Sequence, residues 1–383
     1  MKTNRLSDYD KSGITVVVPT HGRVGLINNL LISLQEACNA ISGKVEIVII
    51  DSSEQEDSKK IESLCEQYEA KYIKGSINVR EKRNFGIREA GGEIILFVDS
   101  DCEVTERLFE EHLKMYDEPD TAGVLGVTEF VGKETTTWKI VQRTKFLDAF
   151  SFAKTLASYV KSAPWGTCTN LSLKKEILEK VRGFDTNFPF RLGGDDTDLG
   201  IRINKAGYKI KMNPNAIVYH TKETWNKFPA VAKRVFRWGR TDYYVFYRKH
   251  RDKLSSAFPK PIAIFTFLLI FSFIKGCMSN LLLYLSLPFI WLLLFLFLNA
   301  FLKIVSSKDS LKNIHLEMLA QFLHFLFDFG TIFESIKNQS ILVFFKTPLD
   351  DPRQVIVLWN EKVWEVWSTI FSTFLILLIL LVV

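Results

Sequence analysis

At 383 residues, 47% of them hydrophobic, the chain is too long and too apolar to be one ordinary soluble domain, because single cores stop growing near about 250 residues. The formal charge of +6 is modest. Its five cysteines, Cys38, Cys65, Cys102, Cys168 and Cys277, show no CxxC spacing, which argues against both a disulfide framework and a zinc site.

The opening stretch, MKTNRLSDYDKSG, is polar and lacks the apolar core of a secretion signal, so the first domain is expected to stay in the cytoplasm. Ile14 to Val18 is a β-branched run ending in Pro-Thr-His-Gly-Arg, and Leu26, Leu30, Leu31 and Leu34 follow at helical spacing. The unit repeats. Val45 to Ile50 reads as a strand ending at Asp51, Asp57 to Tyr68 as a charged helix, and Lys71 to Ile73 as a short strand. Glu81 to Ala90 reads as helix, Gly91-Gly92 interrupts it, and Ile94 to Val98 is an apolar strand running into Asp99-Ser100-Asp101. Apolar strands alternating with helices predict an α/β fold whose parallel sheet is covered on both faces and binds ligands at the carboxyl ends of its strands. Thr20, Asp51 and Asp99 fall at those ends.

Further on, the pattern predicts a helix near Arg107 to Tyr116, a strand near Ala122 to Glu129, an amphipathic helix from Thr137 to Lys161 and a short strand from Ala216 to Tyr219. The first domain is expected to close near residue 250, with a membrane region over 251–383. A basic run precedes that region: Lys227, Lys233, Arg234, Arg237, Arg240, Arg248, Lys249, Arg251 and Lys253. Next to apolar segments such a run points to membrane lipids rather than nucleic acid, and it places the first domain on the cytoplasmic face of a multi-pass cell-membrane protein. Leu281 to Leu302 is uncharged over the roughly twenty residues a helix needs to cross the hydrocarbon layer. Spans are expected near 261–279, 281–302 and 363–383. Residues 311–336 are apolar on one side but carry His315, Glu317, His324, Asp328 and Glu334, which leaves an interfacial amphipathic helix and an additional span both open.

Asp99-Ser100-Asp101 places two carboxylates at a strand end, a DxD arrangement able to hold a hard divalent cation against a diphosphate, although isolated pairs also serve turns. Gly193-Gly194-Asp195-Asp196-Thr197-Asp198-Leu199 gathers three carboxylates where a helix begins. Capping explains part of that cluster, but adjacent aspartates repel, and a desolvated one acquires the raised pKa that suits a general base. His220 ends its strand and can offer an imidazole to the same metal. Arg234 to Trp238, RVFRW, combines guanidinium groups with an indole, a pairing suited to phosphate and to stacking.

In this order and spacing the pieces resemble the family 2 glycosyltransferases, over roughly 14–240. They are VVVPTHGR, Asp51, REKRNFGIREAGGEIILFVDSD, GTCTNLSLKKEILEKVRGFD, GDDTDLG and VYH. The resemblance implies a GT-A (Rossmann-like) fold and inverting transfer from a nucleotide-sugar, a UDP-sugar, with Mg²⁺ or Mn²⁺ as cofactor. The acceptor implied is membrane-associated: a lipid-linked glycan, a polyprenyl phosphate or a surface polysaccharide. Pro19, Thr20 and Arg23 would then belong to the nucleotide pocket, Asp51 to the base or ribose, and Arg83 and Asn84 to the donor site. Asp99 and Ser100 would face the ribose or phosphates, Asp101 and His220 would hold the metal, and Asp196 would be the base. Asp195, standing where the family carries glutamate, is the second candidate base. The Trp165 to Thr169 loop, with Trp165, Gly166 and Thr167, would position the acceptor, with Arg234, Arg237 and Trp238 on its phosphate side. Arg234 replaces the glutamine of processive members, which counts against processive synthesis and leaves single-sugar transfer at least as well supported. A processive polysaccharide synthase and a non-catalytic nucleotide-binding membrane scaffold are the competing readings.

Overall fold

A computed structural model of the protein describes residues 13–188, 193–256, 260–279, 283–348 and 358–382. The chain forms two compact units. The first comprises residues up to Lys133 together with Leu147–Thr224, and the second Glu134–Phe146 together with the residues from Trp225 onward.

In the first unit the elements run β1 (Ile14–Thr20), α1 (Val24–Asn39), β2 (Val45–Asp51), α2 (Gln55–Gln67), β3 (Lys71–Lys74), α3 (Val79–Glu89), β4 (Ile94–Val98) and β5 (Cys102–Val104). After α4 (Leu108–Leu113) and β6 (Thr121–Val131), α5 (Thr136–Thr144) passes to the second unit. The first unit resumes with α6 (Phe152–Thr155), β7 (Asn170–Lys174), α7 (Lys175–Lys180), α8 (Asp195–Lys205) and β8 (Lys209–Thr221). The strands make one eight-stranded sheet in the order β3-β2-β1-β4-β7-β6-β8-β5.

Consecutive residues of the central strands point to opposite faces, as a two-residue period requires. Val17, Val48, Ile50, Ile95 and Phe97 enter one core. Val16, Val18, Ile47, Ile49, Leu96 and Val98 enter the other, where Ile27, Leu30, Leu31 and Leu34 of α1 cover them. Both faces are dry, which is why these strands read as continuous apolar runs.

Two expectations are corrected here. The sheet is mixed: β1 to β4 are parallel, but β7 is antiparallel to both β4 and β6, and β5 is antiparallel to β8. No single helix covers residues 137–161. α5 stops at Thr144, where Lys145 adopts a left-handed φ of 59°, and short turns follow. A third difference is one of length, because the strand expected over Ala216 to Tyr219 is the end of the 13-residue β8.

The second unit contains α5, α9 (Phe228–Asp242) with a π-helical continuation over Tyr243–Lys249, β9 (Leu254–Ser256), α10 (Pro261–Ser279), α11 (Leu283–Ser307), α12 (Ile314–Lys337), β10 (Lys346–Pro348) and α13 (Leu358–Val382). Among the described residues, Pro261–Met278, Tyr284–Ser307 and Leu311–Lys337 are long and apolar enough to cross a membrane, and Val363–Leu378 is a shorter apolar helix.

Candidate active site

The carboxyl ends of β4 and β8 meet through β5. Cys102 pairs with His220 in the antiparallel β5–β8 ladder, and the Thr221 amide donates to the Asp101 carbonyl at 3.2 Å. That register brings two side chains together that lie more than a hundred positions apart. Asp101 Oδ1 lies 3.3 Å from His220 Nε2, while Asp101 Oδ2 accepts from Arg23 Nη1 at 2.6 Å. Arg23 reaches it from the turn before α1, held at a left-handed φ of 64°.

The tautomer of His220 follows from its other neighbour. Nδ1 is 2.8 Å from the Thr221 carbonyl, which only accepts, so Nδ1 carries a proton and Nε2 is the ring nitrogen left to face Asp101. A carboxylate oxygen and an imidazole nitrogen facing one another this closely suit a bound cation. The ligand atoms of Asp101, Cys102 and His220 all lie within 4.8 Å of one another. Burial pushes the Cys102 thiol well above its ordinary pKa, which makes the thiolate that a metal would need costly to form here. The remaining oxygen and nitrogen donors fit Mg²⁺ or Mn²⁺ rather than a thiophilic ion.

The second acidic cluster opens α8. Gly194 takes φ 75°, a left-handed turn that glycine makes without steric cost and that delivers Asp195 and Asp196 as the first helical residues. Asp195 is buried and accepts from Arg83 Nη1 at 2.6 Å. The same guanidinium extends Nη2 to Asp99 Oδ1 at 3.3 Å, so Arg83 joins the two acidic motifs directly. Thr169 Oγ1 holds the other Asp99 oxygen at 2.9 Å. Asp196, partly exposed, accepts the Thr197 amide at 2.9 Å. Burial, and then the adjoining Asp195 charge, push the Asp196 carboxyl up to about 7.

The other expected residues fall in three settings. Pro19, Thr20 and Ser100 are buried at strand ends, and the Thr20 carbonyl accepts from Lys82, whose ammonium burial pushes down to about 8. Asp51 is fully enclosed: Oδ1 accepts from the Ser53 amide at 2.9 Å and Oδ2 from Tyr72 at 3.1 Å. Both ends of the Asn84 amide are spent on the backbone of Phe184, at 2.7 and 2.8 Å, so this side chain staples the loop after α7. Trp165 stands edge-on to Phe152 at 5.4 Å and presses on Gly200 of α8, Gly166 packs against Leu125, and Thr167 is buried. Arg234, Arg237 and Trp238 lie on α9 in the second unit, Arg234 over the Trp225 ring at 4.1 Å and Trp238 5.8 Å from it.

Sequence reasoning missed Arg80. Fully buried, it donates to the Gly193 carbonyl at 2.9 Å and lies 3.9 Å from Asp195. The signal was the i, i+3 spacing of Arg80 and Arg83, which puts both guanidinium groups on one face of α3. Thr169 was expected only as the end of the acceptor loop, and nothing local to it announces that Asp99 will be opposite.

The model described as "Glycosyl transferase family 2" matches residues 15–182, and that described as "N-terminal domain of galactosyltransferase" matches residues 152–227. The chain is 22% identical over 255 residues to the O-antigen biosynthesis protein RfbC of Myxococcus xanthus, a match covering 63% of this chain but 19% of that relative, so the chain spans about a fifth of its length. It is 22% identical over 246 residues to glycosyltransferase AglE of Haloferax volcanii, covering 61% of this chain and 74% of that one. Among solved structures, the mannosyltransferase PcManGT from Pyrobaculum calidifontis, in complex with GDP-Man and Mn²⁺, superposes with a TM-score of 0.50 at 17% identity, over 85% of this chain and 88% of its own.

Proposed function

The chain belongs to glycosyltransferase family 2, with the GT-A fold, and on that premise we propose that it is a metal-dependent inverting enzyme whose base is Asp196. It uses a nucleotide-sugar donor, and we assign the transfer to a membrane-associated glycan or lipid-phosphate acceptor, with UDP-sugars as the expected donors. The observation that carries this reading is the Arg83 bridge, which ties Asp99 of the first acidic motif to Asp195 of the second. With Asp101 against His220 at 3.3 Å, the bridge supports one reaction centre with a cation side and a base side.

Asp101 and His220 would hold the divalent ion, which supplies charge neutralisation of the donor diphosphate. Arg23, which donates to Asp101, would stand beside that ion with a guanidinium suited to a phosphate oxygen of the donor. Ionised Asp196 removes the proton of the acceptor hydroxyl, whose oxygen attacks the anomeric carbon from the face opposite the nucleoside diphosphate, and the leaving group departs as the new bond forms. Asp195 is unsuited to that role because Arg83 holds it; its charge instead keeps the neighbouring carboxyl basic. A basic segment followed by apolar helices supports catalysis at the cytoplasmic face beside a lipid-borne or surface-glycan acceptor.

Transfer assayed with UDP-, GDP- and dTDP-sugars and Mn²⁺ tests the assignment. Asp196→Asn keeps the cap on Thr197 and is expected to retain donor binding while lowering kcat by ~10²- to 10⁴-fold. Turnover equal to the wild type would remove Asp196 as the base, and full activity in excess chelator would remove the metal.

A further inference from the structure

α12 satisfies the length and composition of a membrane span, yet its surroundings in the second unit contradict a crossing. Its partners on α9 and the following π-helical turn advance in step along both helices. Phe236 meets Phe329 and Phe333 at 6.0 Å, Arg240 meets Glu334 at 2.6 Å, and Arg248 reaches Asn338 at 3.3 Å. The helices run parallel and in direct contact, since a Cβ added to Gly239 would lie 1.8 Å from the Phe327 carbonyl oxygen. Whatever direction α12 takes through or along a bilayer, α9 takes too. That segment carries Lys233, Arg234, Arg237, Arg240, Arg248 and Lys249, and cationic side chains are costly at the centre of a bilayer.

The two ends of α12 give a second, independent constraint. Just before it, Asp309 pairs with Arg143 of α5 at 2.7 Å. Just after it, β10 pairs with β9, and the Lys346 carbonyl accepts from Tyr247 at 2.7 Å. Both anchors, α5 and β9, precede α10, the first apolar helix, so both ends of α12 return to the side on which α10 begins.

We propose that α12 does not cross the bilayer but lies in its interface beside α9, on the side from which α10 enters, leaving α10 and α11 as a membrane hairpin. Its occupied face is the stripe Leu319, Phe322, Leu326, Phe329, Phe333 and Ile336, spaced alternately three and four residues apart; Ile336 is 65% and Phe333 46% exposed. The partner that fits this stripe is the acyl-chain boundary of a lipid bilayer. The stripe belongs to the same unit as the two apolar helices, and the adjoining α9 offers cations to anionic headgroups. Glu334, fully buried, is neutralised by Arg240 and bonded by Tyr244 at 3.0 Å, so the helix turns no acid toward lipid at that point.

The inference rests on the membrane reading of α10 and α11 but on no part of the sugar chemistry. In full-length protein carrying Cys38→Ser and Cys277→Ser, nitroxides at Leu319→Cys and Ile336→Cys are compared in phosphatidylcholine/phosphatidylglycerol vesicles by oxygen and nickel-complex accessibility. The positions lie ~25 Å apart along the helix axis. Equal, shallow depths are expected. Depths differing by most of that separation would overturn the proposal, as would free access of the nickel complex to both labels. Single cysteines at Lys308 and Gln339, both exposed, give a readout that does not need lipid contact: an impermeant maleimide should label both from the same face of sealed vesicles. Labelling from opposite faces would sink the proposal. Loss of the protein from the vesicles would instead sink the membrane reading beneath it.

Discussion

Asp196 is the candidate base, and its surroundings alter its chemistry strongly. Partial burial disfavours its charge and Asp195 repels it, which pushes its carboxyl up to about 7. A base works only when ionised, so kcat/KM is expected to rise with pH through an acid limb near 7. Asp195→Asn removes the repelling charge while Arg83 keeps its contact with Asp99, and the limb should then move to lower pH by on the order of one unit. A pH–rate profile of both forms checks this, and a limb that stays in place would show that the repulsion does not set the titration. Arg83 contributes at the same scale: one guanidinium compensates two carboxylates from motifs 112 and 16 positions away.

Among the elements, the pair α9 and α12 shows how backbone proximity is obtained. Gly239 and Gly330 face the opposite helix, and a Cβ on Gly330 would stand 2.2 Å from the Phe236 carbonyl oxygen. Close approach lets Thr331 donate to the Gly239 carbonyl at 3.0 Å and lets Arg240 reach Glu334. Gly330→Ala must therefore push the helices apart, with an expected cost of about 1–3 kcal/mol as for other overpacked sites. Gly25→Ala, in α1 with nothing within 4 Å of the added carbon, should be neutral or stabilising by up to about 1 kcal/mol. Thermal unfolding in detergent distinguishes them, and equal melting temperatures would contradict the close packing. In the sheet, the β5–β8 ladder has the corresponding part, because a one-residue slip would turn His220 to the opposite face.

At the scale of the whole molecule, an eight-stranded sheet unit and a helical unit share one chain, with α5 inserted from the first sequence region into the second unit. The apolar faces of α10 and α11 remain exposed, Phe267, Phe273, Phe289 and Leu293 among them, far beyond what isolated surface residues of a soluble protein require. High-salt and alkaline carbonate washes of cell membranes should leave the protein in the pellet, and detergent should release it. Release by salt alone would mean that the basic α9 segment, rather than the apolar helices, provides the attachment.

Local pattern was enough to predict the strand–helix alternation from Ile14 to Val98, because β-branched runs and helical periodicity are properties of neighbouring residues. It also located the apolar helices and both acidic motifs. Pairing was not legible: β7 inserts antiparallel between β4 and β6, and strand order is decided by how whole faces exclude water, which no short window contains. The same limit applies to the candidate site. Arg23 finds Asp101 across 78 positions and Thr169 finds Asp99 across 70, and only the closed fold makes these contacts short enough to set charge and tautomer. For residues 311–336, composition left two placements open, and only tertiary contacts, those of Asp309, Glu334 and Lys346, bear on the choice; they are the ground for the interfacial placement proposed above.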